Sequence, residues 1–356
     1  MTLREPETSA QEPQIDSATA SRKLRNGLIT LALLVILVVA LLLAVPGLHG
    51  VAHDVTHMGA LWLGLAVLLE ILSCGSYVLA FLQVFDRAPI RFGARVALSE
   101  LAFGSAVSLG GAGGAAVGAW LLVDRGATPK RVAERSVVLF LLTSAINAIT
   151  LAETGLALFV GLLPGPSDPL LSLLPAAAGI AAIAFFLVLP RWAERLAKVR
   201  SEGRLRTVLI ETAVSIRMTE QLLVAPDWRI LGAVGFLWFD IGVLMACFAA
   251  TGPVPPLSVV VLAYQVGYLA NVVPIPGNIG VLDGSVVGMF VLYGVSATTA
   301  TAVTVVYHAI ALWIPAMWGT LAFVLLQRSR GKPIELRPDR EERRRLREER
   351  RQRAAS

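Results

Sequence analysis

Apolar residues in this chain run in long blocks separated by short charged clusters. A bilayer core about 30 Å thick takes roughly 20 apolar residues as a helix. Blocks of that order at about Leu28–Val45, Leu61–Phe85, Val137–Leu163, Leu171–Leu189, Ile230–Ala250 and Ala302–Leu326 each predict one crossing. Two further apolar blocks, about Val96–Val123 and Leu257–Leu292, are interrupted by helix-breaking residues: SLGGAGGAAVG at Ser108–Gly118 and PIPGNIGVLDG at Pro274–Gly284. Irregular backbone at membrane depth survives only where protein buries it or water lines it, because lipid offers no partner to a freed N–H or C=O. The two breaks are therefore the first candidates for a working site.

Basic residues assign sides, since Lys and Arg concentrate in cytoplasmic loops. Arg22, Lys23 and Arg25 precede the first block, which reads as a retained span with a cytoplasmic N-terminus. Arg87, Arg91 and Arg95 precede the Gly-rich block, and Arg125, Lys130, Arg131 and Arg135 follow it. That block must then enter and leave on the cytoplasmic side, as a re-entrant helix pair. Between Arg229 and Arg328 there is no Lys or Arg. The chain must return inside at Arg328, so the Pro-Gly block begins and ends outside, opposed to the first. Together these readings predict an all-α polytopic membrane protein with about six transmembrane helices plus two oppositely oriented re-entrant helix pairs. Opposed broken segments of this kind mark an inverted repeat, which in transporters places substrate between the breaks near the midplane.

Composition supports the membrane assignment: 56% of the 356 residues are hydrophobic and 16% charged, against roughly 45–50% and 25% in soluble domains. Residues 1–25 read as a disordered tail and 26–327 as the membrane domain. Within the latter, an amphipathic helix at about 204–225 lies either at the membrane interface or against the underside of the bundle. Residues 328–356 form a basic tail with twelve Lys or Arg and six Asp or Glu, whose excess equals the net charge of +6. The basic balance thus reports a cytoplasmic, lipid-facing tail and not a nucleic-acid surface. Cys74 and Cys247 lie inside apolar runs as small buried hydrophobes.

Candidate substrate-binding residues follow from the breaks. Gly110, Gly111, Gly113 and Gly114 belong to the first, Asn271, Pro274, Pro276, Gly277, Asn278 and Gly280 to the second. Glu100 and Asp283 stand close to them and would accept hydrogen bonds from freed N–H groups or meet a headgroup; capping alone is the alternative. Tyr307 and His308 lie in the last span, where an imidazole changes charge near neutral pH. Glu70, Glu153 and Asp240 read as hydrogen-bonded carboxyls inside the bundle. The small-residue spacings Gly110/Gly114 and Gly114/Gly118 equally suit close helix packing.

No metal site and no cofactor is expected. His49, His53 and His57 recur every fourth residue, but Pro46, Gly47 and Gly50 weaken the helix that would align them. Gly111–Ala116 fits a dinucleotide fingerprint without the strand that motif needs. Neither a G-K-[ST] after a glycine cluster nor a G-x-S-x-G elbow occurs, so the sequence suggests no nucleotide motor and no catalytic set.

The stretches LGGAGGAAVGAWLLVDRGATPKRVAERSVVLFLLTSAIN and YLANVVPIPGNIGVLDGSVVGMFVLYGVSATTATAVTVVYHAIALWIPAMWG resemble the lysylphosphatidylglycerol synthase transmembrane, flippase-like family. The similarity covers roughly residues 28–327. That family's second break usually reads P-x-P-G-G-x-G followed by an acidic residue, then a Gly-Val turn and a span carrying Tyr-Arg. Here Pro274, Pro276, Gly277 and Gly280 match, Asn278 replaces a glycine, Asp283 stands where Glu is common, and Tyr307-His308 replaces Tyr-Arg. The first break departs further, carrying only glycines where many members have Pro-Gly and Gly-Glu.

Two-function members add a soluble aminoacyl-transfer domain, for which the residues after 327 are too few. The resemblance therefore implies the translocating part without synthase activity. The expected function is movement of a lipid or lipid-linked headgroup between leaflets of a bacterial plasma membrane, with anionic phospholipid or a lipid-linked substrate as partner. A non-transporting scaffold subunit of an envelope or lipid biosynthesis system is the alternative. The pattern leaves a homo-oligomer open.

Overall fold

The computed structural model describes residues 21–22, 24–26, 29, 49–106, 112–166, 168–199, 203–269 and 279–329. The predicted first span and most of both tails lie outside them. Eleven helices follow in order: α1 (His49–Thr56), α2 (Ala60–Val84), α3 (Ile90–Ala106), α4 (Ala112–Val123), α5 (Pro129–Phe159), α6 (Pro169–Val199), α7 (Arg204–Val224), α8 (Ile230–Thr251), α9 (Leu257–Leu269), α10 (Ile279–Leu292) and α11 (Ala297–Arg328). This is an all-α, multi-pass membrane protein. Five helices of 22 to 32 residues, α2, α5, α6, α8 and α11, are long and apolar enough to cross a bilayer.

The remaining apolar helices are shorter. α3, α4, α9 and α10 have 12 to 17 residues, which at about 1.5 Å per residue gives roughly 18–26 Å, less than a hydrocarbon core. They occur as two hairpins, α3–α4 and α9–α10. Side-chain contacts show where each hairpin opens. The Arg135 Nη1 donates to the Val84 carbonyl at 3.1 Å, Arg229 Nη1 to that of Leu82 at 3.4 Å, and Arg125 Nη2 to that of Leu326 at 3.2 Å. Arg125 also stacks over the Phe92 ring of α3. These guanidinium groups satisfy last-turn carbonyls, where a cation is favoured by the helix dipole. They gather the ends of α2, α4 and α11 with the starts of α3, α5 and α8.

The opposite end is held by different contacts. Gly59 N–H donates to the Ala250 carbonyl at 2.9 Å, Ser258 Oγ to that of Pro164, and the Tyr293 hydroxyl to that of Leu171 at 2.9 Å. The hairpin α3–α4 therefore opens at the arginine-rich end and α9–α10 at the other.

The core is built on α2 packed antiparallel to α8. A Cβ on Gly232 would meet the Ala80 nitrogen at 2.5 Å, one on Gly235 the Ser76 Oγ at 2.7 Å, and one on Gly242 the Leu69 side chain at 3.4 Å. Around this pair α11 crosses α3, where Gly319 sits directly on the Leu98 carbonyl, and α5 crosses α9. α6 lies at the periphery, with 22% of its apolar window buried. Large apolar side chains such as Leu61, Phe140, Leu174 and Phe185 face outward, as a lipid-solvated surface requires.

Helix ends differ from the apolar limits because caps, not hydropathy, terminate helices. α5 begins at Pro129, with Thr128 extended before it and Pro at the first position, although its first turns carry Lys130, Arg131 and Arg135. α11 begins at Ala297 because Ser296 accepts the Thr299 N–H at 3.1 Å. α8 and α10 end at Gly252 and Gly294, whose φ of 145° and 89° other residues rarely adopt. The amphipathic α7 packs on α5 and α6, burying Ala213, Ile216 and Thr219. Lys130–Glu211 at 3.3 Å and Arg217–Glu194 tie down its polar side.

Gly319→Leu is expected to lower stability by about 1–3 kcal/mol, the usual cost of overpacking. Gly64→Ala, with nothing within 4 Å of its added Cβ, should be neutral or stabilising. Thermal unfolding of both variants in detergent checks the contrast.

Candidate functional site

Of the first break, Gly110 and Gly111 lie outside the described residues, while Gly113 and Gly114 stand in the first turn of α4. A Cβ on Gly114 would collide with the Glu100 carbonyl, and one on Gly118 with the Glu100 carboxyl. These glycines allow α4 to lie on α3 at the level of Glu100. Glu100 is 5% exposed and accepts a hydrogen bond from the Tyr77 hydroxyl at 2.8 Å. Tyr77 itself packs on Phe236 of α8, with ring centroids 5.1 Å apart. The carboxyl of Glu100 is thus held between α2, α3 and α4.

Of the second break, Asn271, Pro274, Pro276, Gly277 and Asn278 lie outside the described residues. Gly280 and Asp283 stand in the first turns of α10. The arms of this hairpin are clasped deeper down, where Ser285 Oγ donates to the Gly267 carbonyl at 2.8 Å. A Cβ on Gly267 would meet Val286 Cγ2 at 2.5 Å. Each hairpin therefore has one crossing point at which a glycine admits a larger partner.

A denser polar centre lies between α8, α9 and α11. Asp240 of α8 accepts hydrogen bonds from the hydroxyls of Tyr264, on α9, and Tyr307, on α11, the latter at 3.0 Å to each oxygen. The two phenol rings meet edge to face with centroids 6.4 Å apart, and His308 lies 4.9 Å from Tyr307. Tyr307 has no exposed surface and Tyr264 is 7% exposed. From α2, Glu70 is within electrostatic reach of Asp240. Glu70 is 5% exposed, receives the Cys74 thiol at 3.8 Å through Oε1, and has no hydrogen-bond partner at Oε2.

The Lysylphosphatidylglycerol synthase TM region family matches residues 29–319. The chain belongs to that family. A UPF0104 membrane protein of Methanothermobacter thermautotrophicus is 32% identical over 93 residues, which is 26% of this chain and 26% of that protein. The match spans about a quarter of that relative's length.

Within this synthase-TM-region chain, Tyr307 and His308 are drawn to Asp240, whereas Glu100 belongs to a separate contact with Tyr77. The sequence reading passed over Glu70, Tyr77, Asp240 and Tyr264 as site residues. Hydropathy marks an acid inside a span but does not say which helix faces it. In the structure Glu70 and Asp240 each stand ten residues after the first residue of their helices, Ala60 and Ile230, a correspondence that hydropathy alone does not reveal. His53 of α1 and His57, just past its end, stack at 4.0 Å, and no described group of three or more His, Cys, Asp or Glu is arranged to hold a metal ion.

Tyr77→Phe removes the hydroxyl that Glu100 accepts from and should cost about 1–3 kcal/mol, the penalty for a buried polar group left unmatched. Thermal unfolding in detergent measures it; Glu100→Gln, which keeps an acceptor oxygen, should lose less.

Proposed function

We propose that this protein moves a lipid or lipid-linked headgroup between the leaflets of a bacterial plasma membrane, with both termini cytoplasmic. The observation that carries this reading is the pair of short-helix hairpins opening at opposite ends of one bundle. Every helix contact in α2–α5 has a counterpart in α8–α11: α2 with α3 and α8 with α9, α4 with α5 and α10 with α11, α3 with α11 and α9 with α5. Such pairing is what an inverted repeat with two re-entrant hairpins would give, and transporters of that design bind substrate where the repeats meet. The buried polar centre around Asp240 lies at such a meeting place, while the bundle's apolar exterior leaves acyl chains in lipid.

The headgroup would be received by Asn271 and Asp283 at the Pro-Gly break. Anionic phosphatidylglycerol and its lysyl ester are the first probes, since the family is described by a synthase of the latter. A scaffold role is the second reading, and one observation favours it: Gly114 and Gly118 are filled by Glu100 and so serve packing. The two readings separate in liposomes containing the full chain and fluorescently labelled lipids, with leaflet exchange followed by chemical quenching. Wild type should accelerate exchange of at least one lipid. Asp283→Ala and Asn271→Ala should slow it about ten- to a hundredfold, the kinetic equivalent of one lost charge-assisted hydrogen bond at about 1.5–3 kcal/mol. Absence of protein-dependent exchange for every lipid tried would leave the scaffold reading standing.

A further inference from the structure

The antiparallel pairing of α2 and α8 has a consequence at its centre. Ser73 Oγ donates to the Phe236 carbonyl at 3.0 Å on one side, and Leu69 packs on Gly242 on the other. Glu70 and Asp240 fall between these contacts and oppose one another. Each is about 15 Å of helix from the start of its span, near the middle of a core about 30 Å thick. Two acids thus come from matching positions in the two halves and lie within electrostatic reach of each other where the halves touch.

No lysine or arginine neutralises them, and the basic side chain within electrostatic reach of Asp240 is the His308 imidazole of α11. α2 contains no Lys or Arg, and none occurs between Arg229 and Arg328. The groups facing the pair are Cys74 from α2, Cys247 from α8, Tyr264 from α9, and Tyr307 and His308 from α11. From α3, Glu100 is engaged by Tyr77; on α5, Glu153 is exposed and Lys130, Arg131, Glu134 and Arg135 belong to the arginine-rich end. Two like charges in a dry site cannot both stay ionised at low cost, so one proton shared between them is the simplest resolution.

The hydrogen bonds identify the roles. Asp240 accepts from two phenols and so acts as the charged acceptor. Glu70 Oε2, deeply buried and without a partner, is the atom left to carry the proton. Thr304 Oγ1, 1% exposed and also without a hydrogen-bond partner, stands one turn before Tyr307 on the same face of α11. A metal ion would compete for Asp240 oxygens already engaged, whereas a proton needs a single lone pair.

We propose that Glu70 and Asp240 form a proton-binding site that couples exchange to a proton gradient. The coupling, though not the proton site, rests on the transport reading above. In one arrangement of the bundle Glu70 forms an O–H bond with a proton taken from water on one side. In the other that bond breaks and the proton leaves to water on the far side, moving one positive charge per cycle.

Two measurements on the full chain in liposomes test this. Infrared titration reads the C=O stretch of a protonated carboxyl directly. Wild type should show such a band that disappears on alkaline titration; Glu70→Gln and Asp240→Asn should each remove or displace it, and Glu153→Gln should leave it. A band indifferent to both substitutions overturns the proton site, whether or not lipid moves. The second measurement imposes a pH gradient during labelled-lipid exchange. The wild-type rate should change about tenfold when the gradient is reversed, and Glu70→Gln should exchange at one rate in either direction. Wild-type exchange that ignores the gradient overturns the coupling and leaves transport intact. A titrating band without any exchange sustains the proton site and removes the transport reading.

Discussion

The fold depends on α2 and α8 lying almost backbone to backbone. A hydrophobic effect cannot bring helices together in lipid, so van der Waals contact and hydrogen bonds must, and small residues make both possible. Gly232 and Gly235 of α8 lie against Ala80 and Ser76 of α2, and Ser73 adds a hydrogen bond to the Phe236 carbonyl. This contact joins the two halves of the chain, fixes them antiparallel, and sets which residues of one half face the other. Glu70 comes within electrostatic reach of Asp240, and Tyr77 packs on Phe236, because of it.

The hairpins solve a different problem. A helix of 12 to 17 residues is shorter than the hydrocarbon is thick, so any end that lies within the membrane must be covered by protein. α11 covers α3 through the approach of Gly319 to Leu98, and α5 packs on α9. Glycine within each hairpin then lets its arms touch, Gly118 at Glu100 in one and Gly267 at Val286 in the other. The same residue type that breaks a helix at its end thus serves as a contact surface in its interior. Arginines complete the design at one face by satisfying the last carbonyls of α2 and α11, which binds the charge pattern that orients the chain to the packing that holds it.

The architecture was largely legible in the chain. Spans are visible as apolar runs, and the absence of Lys and Arg from 230 to 327 distinguishes the uncharged Pro-Gly block from the Gly-rich block flanked by arginines. Helix limits are less legible: α5 and α11 extend into polar residues because Pro129 starts the one at its first position and Ser296 caps the other, and hydropathy registers neither. The polar centre was half legible. Tyr307, His308 and a hydrogen-bonded carboxyl at Asp240 are each visible in the sequence, but not that Tyr307 donates to Asp240 or that Tyr77 donates to Glu100.

What the sequence by itself determined is whatever depends on transfer between water and lipid: which segments are buried in the membrane and where positive charge is concentrated along the chain. Those are properties of single residues summed over a window. What only the tertiary structure decided is which intramembrane side chains meet. Glu70 and Asp240 are 170 positions apart, and nothing in hydropathy or spacing sets the register of α2 on α8. That register comes from the fit of Gly232 and Gly235 against Ala80 and Ser76. It is a matter of shape at contact distance, which exists only once both helices are in place.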